Sequence, residues 1–117
     1  MPNKIILASK SKIRKKILEK NNIESIVEPS NVDEDIVKIS LLKERASPEI
    51  ISKNLAELKA NKVSMKKTDQ MVLGADSVID FCGELISKPE SREDAMSILK
   101  KLNGKSHFLI SSVCISK

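Results

Sequence analysis

Residues 71–86, MVLGADSVIDFCGELI, contain the strand around which the rest of this chain is arranged. The apolar side chains that run up to Phe81 predict a strand, and Asp76 interrupts them with an ionisable group. Residues 82–84, Cys-Gly-Glu, predict a hairpin connection to a second short strand, which Pro89 ends. The stretch therefore predicts two antiparallel strands inside a sheet.

The segments on either side of this hairpin predict further strands and helices. Apolar runs bounded by turn residues indicate strands, and apolar residues at helical spacing indicate helices with one buried face. On these criteria we expect strands at 5–8, 23–28 and 107–115, an acidic loop at 33–35 and a helix at 36–44. We also expect three helices that each have one apolar face. The first face is formed by Ile13, Ile17 and Leu18, the second, after the cap Ser47, by Ile51, Leu55 and Leu58, and the third, between Ser91 and Gly104, by Ala95, Ile98, Leu99 and Leu102.

The resulting order, β-α-β-α-α-β-β-α-β, predicts an α/β fold with a mixed central sheet flanked by helices. No repeat, low-complexity tract or linker interrupts this order, so we expect residues 1–117 to form a single domain. The last strand stays apolar almost to Lys117, which favours a chain that lacks an element to cover it.

The composition excludes several classes of protein. Apolar residues make up 40% of the 117 residues and charged residues 32%, and no apolar stretch approaches the roughly 20 residues that cross a bilayer. The first residues do not form a signal peptide, so we expect a cytoplasmic protein without membrane contact. Cys82 and Cys114 are far apart and lack a CxxC pairing, which argues against a disulfide framework or a zinc site and favours free, partly buried thiols.

The net charge of +5 would favour a polyanionic partner. Almost all of the positive charge is lysine, and the chain has no Trp or Tyr on which bases could stack. A nucleic-acid-binding module therefore rests on charge alone, and we expect no nucleic-acid partner.

The segment LASKSKIRKKIL, residues 7–18, places two serines and an arginine at the predicted start of a helix. A helix N-terminus exposes unsatisfied N–H groups with a partial positive charge, so Ser9, Ser11 and Arg14 could hold a phosphate there. The alternative is that Ser11 only caps the helix while the lysines are solvated. The segment alone leaves both interpretations open.

Asp76 is the strongest candidate for chemistry. It follows Gly74 and Ala75, which are small enough to let a ligand approach, inside a strand with apolar neighbours. A buried carboxylate costs several kcal/mol unless a metal, a cation or hydrogen bonds receive it, which suits a general base or a metal ligand. The alternative is an aspartate that forms a turn at a strand end.

Other polar residues carry weaker signals. Asp33 and Glu34 could supply oxygens to Mg²⁺ or Mn²⁺, although solvated loop residues would have the same sequence. Lys88 precedes a proline at a strand end, and Lys59 lies at the border of a predicted buried face. His107, at the start of the last strand, is given no chemical role.

Six segments together resemble the Maf family, the septum-formation-inhibitor-like nucleoside triphosphate pyrophosphatases. The resemblance covers nearly the whole chain, and its specificity comes from the order and spacing of the segments. They are LASKSKIRKKIL at the family's SxSxxR loop, NVDED at its DE segment, LAELKA at its AxxKA helix, LGADSV at its GAD motif, ISKP at its GKP motif and LNGKSH at its SGxTH-like segment.

The resemblance implies a Maf/ITPase-like fold and hydrolysis of a nucleoside triphosphate, including non-canonical nucleotides, to the monophosphate and pyrophosphate. It implies a divalent cation, Mg²⁺ or Mn²⁺, as cofactor, and a homodimer as the common assembly. Carried over to this chain, it implies a proton-accepting Asp76, a phosphate- and nucleotide-binding set of Ser9, Ser11, Arg14, Lys59 and Lys88, and metal contacts from Glu34 and Asp76.

The chain also departs from the family pattern. Many members have SPRR where this chain has Lys12, Ile13 and Arg14, and Ile13 and Ser77 occupy positions that tune nucleotide choice in the family. Neither residue matches the thymidine/uridine-type or the methylguanosine-type arrangement, so the base stays open. Members also continue past the last strand, which implies a C-terminally truncated fold. The alternative function is therefore a catalytically impaired protein that binds a nucleotide or a partner.

Overall fold

The computed structural model describes residues 4–9, 11–67, 69–86 and 91–117. Within these residues the element order is the predicted one. The elements are β1 (Ile5–Leu7), α1 (Lys12–Lys20), β2 (Ser25–Val27), α2 (Glu34–Lys43), α3 (Pro48–Ser64), β3 (Val72–Phe81), β4 (Glu84–Ile86), α4 (Arg92–Leu102) and β5 (Phe108–Ser116). The predicted α/β class is confirmed, with five strands in one mixed sheet and four helices among the described residues.

Strand β3 is the centre of the sheet. Strand β5 pairs antiparallel with it from residue 72 to residue 80 and so occupies one of its two edges. The other edge is shared, since β1 pairs parallel with Val72 and Leu73 while β4 pairs antiparallel with residues 79–81. Strand β2 extends the sheet by parallel pairing with β1. The edge of β3 between residues 74 and 78 is therefore open between two neighbouring strands.

The hairpin between β3 and β4 forms where the sequence predicts it. Cys82 and Gly83 have φ values of 52° and 87°, which are the positive values that a type I′ two-residue turn requires. The backbone N–H of Gly83 donates to Oδ1 of Asp80 at 2.7 Å. Cys82 is exposed in this turn rather than partly buried, whereas Cys114 is half-buried, and both cysteines are free.

Helix α3 packs closely against β3. Its buried side chains include Ile51, Leu55, Ala56, Ala60 and Val63. A Cβ atom at Gly74 would lie 2.3 Å from the carbonyl oxygen of Ala56 and 2.6 Å from the backbone nitrogen of Ala60. Only glycine on β3 and small residues on α3 allow this approach.

The prediction that Leu58 is buried with Ile51 and Leu55 is wrong, because Leu58 is exposed. The buried face of α3 is formed by residues at helical spacing, namely Ile51, Ser52, Leu55, Ala56, Ala60 and Val63. Leu58 lies to one side of that face. The face includes the polar Ser52, which the pattern of apolar residues did not predict to be buried.

The predicted acidic loop is also wrong in its boundary, because helix α2 starts two residues earlier than expected. Asp33 is the N-cap, and its carboxylate accepts a hydrogen bond from the backbone N–H of Ile36 at 3.2 Å. Glu34 and Asp35 lie in the first turn, where negative side chains offset the helix dipole. Acidic residues that suggested a solvated loop therefore start a helix.

The apolar faces predicted for α1 and α4 are not buried within the described residues. Ile13, Ile17 and Leu99 are exposed, as are Leu109 and Val113 on β5. Periodicity shows that one face of an element is apolar, but it does not show what packs against that face. Among the helices described, none has the length and apolar composition that crossing a bilayer requires.

Candidate functional site

A cavity of about 530 Å³ opens beside the uncovered edge of β3. Its walls come from the β1–α1 turn and the start of α1, the loop before α2, helices α2 and α3, and strand β3, with single residues from β4, α4 and β5. The structure brings together in this cavity seven of the residues selected from sequence: Ser9, Ser11, Arg14, Glu34, Lys59, Asp76 and Ser77. The gap between β1 and β4 along this edge of β3 therefore forms the space that these side chains share.

Asp76 lies in the middle of the open edge and is 6% exposed. Its Oδ1 atom pairs with the ammonium of Lys59 at 3.3 Å, and Oδ2 is buried without a hydrogen-bond partner in the described part of the chain. Burial raises the pKa of this carboxyl above its ordinary value, while the Lys59 charge and hydrogen bond oppose the increase. Asp76 is therefore a carboxylate with one restrained oxygen and one unsatisfied oxygen.

Lys59 connects three elements of the fold. Its side chain is 12% exposed, and its ammonium lies 2.6 Å from Oε1 of Glu34 and 3.3 Å from Oδ1 of Asp76. It also donates to the carbonyl oxygen of Ala75 at 3.3 Å. An ammonium has three N–H donors, so these three acceptors match its full capacity. Lys59 thus holds α2, α3 and β3 in one arrangement around the cavity.

The β1–α1 turn contains the predicted helix cap, and phosphate binding there stays a prediction. Ser11 does cap α1, since its hydroxyl accepts from the backbone N–H of Arg14 at 3.3 Å. Ser9 is buried, and its Oγ accepts from the backbone N–H of Ser11 at 3.1 Å and from Nη1 of Arg14 at 3.0 Å. The hydrogen bond to Ser9 therefore holds the guanidinium beside the cavity, where the other four N–H donors of Arg14 can meet an anion.

The remaining selected residues are distributed differently. Ser77 lines the cavity, and its hydroxyl lies 2.9 Å from that of Ser111 on β5. Ile13 is exposed on α1 and does not line the cavity. Lys88 lies outside the described residues.

The carboxylates fit a divalent cation only in part. In the ranges that the structure describes, no three His, Cys, Asp or Glu side chains form a metal-binding group. Glu34 and Asp76 supply hard oxygen donors, and Oδ2 of Asp76 has no hydrogen-bond partner among the described residues. Mg²⁺ commonly takes one or two carboxylates and completes its shell with substrate phosphates and water. These residues therefore fit a cation that arrives with a phosphate ligand better than a permanent protein cage.

The sequence analysis did not select Lys38, which lines the cavity, or Ser52, which contacts the backbone of Asp76. Lys38 lines the cavity from α2, one helical turn after Glu34. A predicted helix that begins after the Asp33 cap would have placed Lys38 on the same face as Glu34. Ser52 is fully buried on α3, two turns before Lys59, and its hydroxyl donates to the carbonyl oxygen of Asp76 at 3.1 Å. A polar residue on an apolar helix face was the available signal for Ser52.

Comparison with known proteins identifies similar chains. The family model described as "Maf-like protein" matches residues 4–117. A protein of Pelagibacter ubique (strain HTCC1062) named "Nucleoside triphosphate pyrophosphatase" is 70% identical over 117 residues, which are 100% of this chain and 60% of that protein.

More distant relatives carry more specific names. The "dTTP/UTP pyrophosphatase" of Aquifex aeolicus (strain VF5) is 36% identical, with 96% of this chain and 55% of the relative covered. The "7-methyl-GTP pyrophosphatase" of Brucella abortus biovar 1 (strain 9-941) is also 36% identical, with coverage of 100% and 59%. The chain thus spans a little more than half the length of the relatives it matches.

Proposed function

The chain belongs to the Maf-like protein family, and on that premise we propose that it hydrolyses nucleoside triphosphates to the monophosphate and pyrophosphate. The observation that carries the proposal is the unsatisfied Oδ2 of Asp76 in a cavity that also contains Ser9, Ser11 and Arg14. A strong base and an anion-binding turn are the two components that hydrolysis of a phosphoanhydride requires.

In the proposed reaction, a water molecule attacks the α-phosphorus of the substrate. Its oxygen forms the new bond to phosphorus, its proton passes to Oδ2 of Asp76, and the bond to the leaving pyrophosphate breaks. Burial supports this role because it raises the pKa of the carboxyl and so makes the carboxylate a stronger base. Lys59 holds Oδ1 and thereby leaves Oδ2 directed at the water.

The β1–α1 turn would hold the phosphate chain. The guanidinium of Arg14 can bind two phosphate oxygens at once, and the hydroxyl of Ser9 keeps it in place. The N-terminus of α1, capped by Ser11, adds a partial positive charge. Lys59 and Lys88 complete the proposed phosphate- and nucleotide-binding set, Lys59 by its charge close to the site.

As an alternative to taking the proton, Asp76 would hold a divalent cation, Mg²⁺ or Mn²⁺, together with Glu34 and phosphate oxygens of the substrate. When bound, such a cation neutralises charge on the triphosphate and lowers the pKa of bound water. The Glu34–Lys59 ion pair keeps the two carboxylates on the same side of the cavity, so both are available to one cation.

The base of the substrate is proposed to be selected near Ser77, because this residue lines the cavity beside Asp76. A serine hydroxyl can both donate and accept, which suits polar groups on a pyrimidine or a modified purine. The role of Ile13 in nucleotide choice stays a prediction from the sequence. A cytoplasmic location and a homodimer likewise stay predictions.

The decisive experiment measures pyrophosphate release from dTTP, UTP, 7-methyl-GTP and the common nucleoside triphosphates in the presence of Mg²⁺ or Mn²⁺. Wild type should hydrolyse at least one of them, and Asp76→Asn should lower kcat by about a hundredfold or more, as loss of a general base does. Asp69→Asn is the matched control, since Asp69 is exposed and Asn tolerates its φ of 60°.

A calorimetric titration with the same nucleotides, combined with the pyrophosphate assay, separates turnover from binding. Nucleotide affinity measured by calorimetry without release of pyrophosphate would reject the enzyme and favour the alternative, a protein that binds nucleotides without turnover. Hydrolysis that survives Asp76→Asn would reject Asp76 as the base.

A further inference from the structure

Helix α2 brings a lysine into the cavity in addition to the one on α3. Lys38 follows Glu34 by one helical turn, so both side chains project from the same face of α2, and both line the cavity. The Asp33 cap determines this placement because it starts the helix early enough for Glu34 and Lys38 to share a face.

Lys59 is poorly suited to bind phosphate oxygens directly. Its three N–H donors already face Glu34, Asp76 and the carbonyl oxygen of Ala75, and its side chain is nearly buried. A phosphate oxygen could gain a donor from Lys59 only if one of these contacts broke. Breaking the contact to Asp76 or Glu34 would leave a carboxylate facing the phosphate without its compensating charge.

Lys38 reaches the same cavity from a second element. Its side chain is half-buried, and it lines the same cavity as Asp76. It comes from α2, whereas Arg14 comes from the first turn of α1. A chain of phosphates lying across Asp76 would therefore meet cations from two separate elements.

We propose that Lys38 binds the phosphate chain of the ligand in this cavity, while Lys59 keeps the two carboxylates in position. The identity of the ligand as a nucleoside triphosphate rests on the proposed function. The recognition itself depends only on a polyphosphate, and the mobile stem of a lysine can follow a phosphate that changes geometry during the reaction.

Inorganic tripolyphosphate is the probe that tests this assignment without requiring turnover. Isothermal titration of the whole protein should show that Lys38→Met weakens tripolyphosphate binding by about tenfold, as expected for loss of one charge-assisted hydrogen bond. Lys43→Met is the matched control, because it removes the same charge from an exposed position at the end of the same helix. It should change the affinity less than twofold, and Lys38→Arg should retain most of the binding.

A parallel measurement uses the nucleotide that the protein hydrolyses best. Lys38→Met should raise KM by about tenfold with a smaller change in kcat, because it removes binding and leaves Asp76 in place. If the methionine variant melts early, Lys38→Gln against Lys43→Gln gives the same comparison with a polar side chain.

The outcomes separate this assignment from the proposed function. Equal tripolyphosphate affinities of the Lys38 and Lys43 variants, or no binding by wild type, would overturn the role of Lys38. Binding that depends on Lys38 in a protein that releases no pyrophosphate would support Lys38 while rejecting the hydrolase. Hydrolysis with an unchanged KM in Lys38→Met would keep the hydrolase and reject Lys38.

Discussion

Lys59 and Asp76 form an ion pair of 3.3 Å in which only one of the two carboxylate oxygens takes part. The other oxygen, Oδ2, is buried without a partner in the described residues. A buried pair that served stability alone would be expected to satisfy both oxygens, because an unsatisfied buried acceptor costs free energy. The pair therefore holds Asp76 in a position from which Oδ2 can act.

Lys59→Met should move the acidic limb of the kcat/KM profile to higher pH. Burial already raises the pKa of Asp76, Lys59 opposes that increase, and Glu34 adds to it, so removal of the cation raises the pKa further. Unfolding free energy should fall by about 2 kcal/mol, less than for a fully buried pair because Glu34 is partly exposed. Lys53→Met, at an exposed position of α3, is the control. An unshifted profile would contradict the positioning role of Lys59.

Asp76 should also give stability a specific pH dependence. Because burial raises its pKa above 3.8, the folded protein retains this proton at pH values where the unfolded chain has lost it. The stabilisation by this group is complete below pH 3.8 and is lost as the pH rises through the folded pKa. The unfolding free energy of Asp76→Asn minus that of wild type should therefore increase with pH across this window.

Urea unfolding over a series of pH values, in the presence of a chelator, measures that difference. Groups shared by the two proteins cancel in it to first order. A difference that stays constant or decreases with rising pH would show that the carboxyl of Asp76 is not destabilised in the folded protein.

Gly74→Ala should lower both stability and activity. The new Cβ would meet backbone atoms of Ala56 and Ala60 at 2.3 and 2.6 Å, so α3 must move away from β3 and carry Lys59 with it. The cost should be about 2–3 kcal/mol, as for overpacking in a core. Gly83→Ala is the control, because its φ of 87° costs about 1 kcal/mol while no atom lies within 4 Å.

Thermal or urea unfolding and the rate of pyrophosphate release test this pair of variants together. Gly83→Ala should keep full activity despite its lower stability. Equal activity of folded Gly74→Ala and wild type would show that the close approach of α3 does not govern the site.

Arg14→Lys should raise KM for the nucleotide by about tenfold while the fold is retained. A lysine keeps the charge but loses the planar group that can bind two phosphate oxygens and Oγ of Ser9 together. Steady-state kinetics measure the effect, with Arg92→Lys in the exposed first turn of α4 as the control. If both variants have the KM of wild type, Arg14 contributes only charge.

The elements were predictable because their signals are local. Ser47 followed by Pro48 marks the start of α3, and the Cys82–Gly83 pair supplies the positive φ values of the hairpin. The same local signals failed at Asp33, where a string of acidic residues suits a solvated loop and a helix start equally well. A helix start differs from a solvated loop in the hydrogen bond from the backbone N–H of Ile36 to the side chain of Asp33. Amino-acid composition does not show that hydrogen bond.

Seven residues of the candidate site were selected from the sequence and the family resemblance, namely Ser9, Ser11, Arg14, Glu34, Lys59, Asp76 and Ser77. The sequence did not show that Lys59 would be saturated by three acceptors or that Lys38 would face the same cavity. Such relationships depend on the angle and distance at which α2 and α3 pack on β3, and these follow from contacts between residues far apart in the chain.

Residue order was thus enough to establish the strands and helices, the family, and a buried acid after two small residues. The three-dimensional arrangement decided which oxygen of that acid is engaged and which cations surround it. The physical reason is the range of the interactions. Backbone propensities and capping act over a few residues along the chain. The cavity, in contrast, exists because β1 and β4 pair with different parts of one edge of β3.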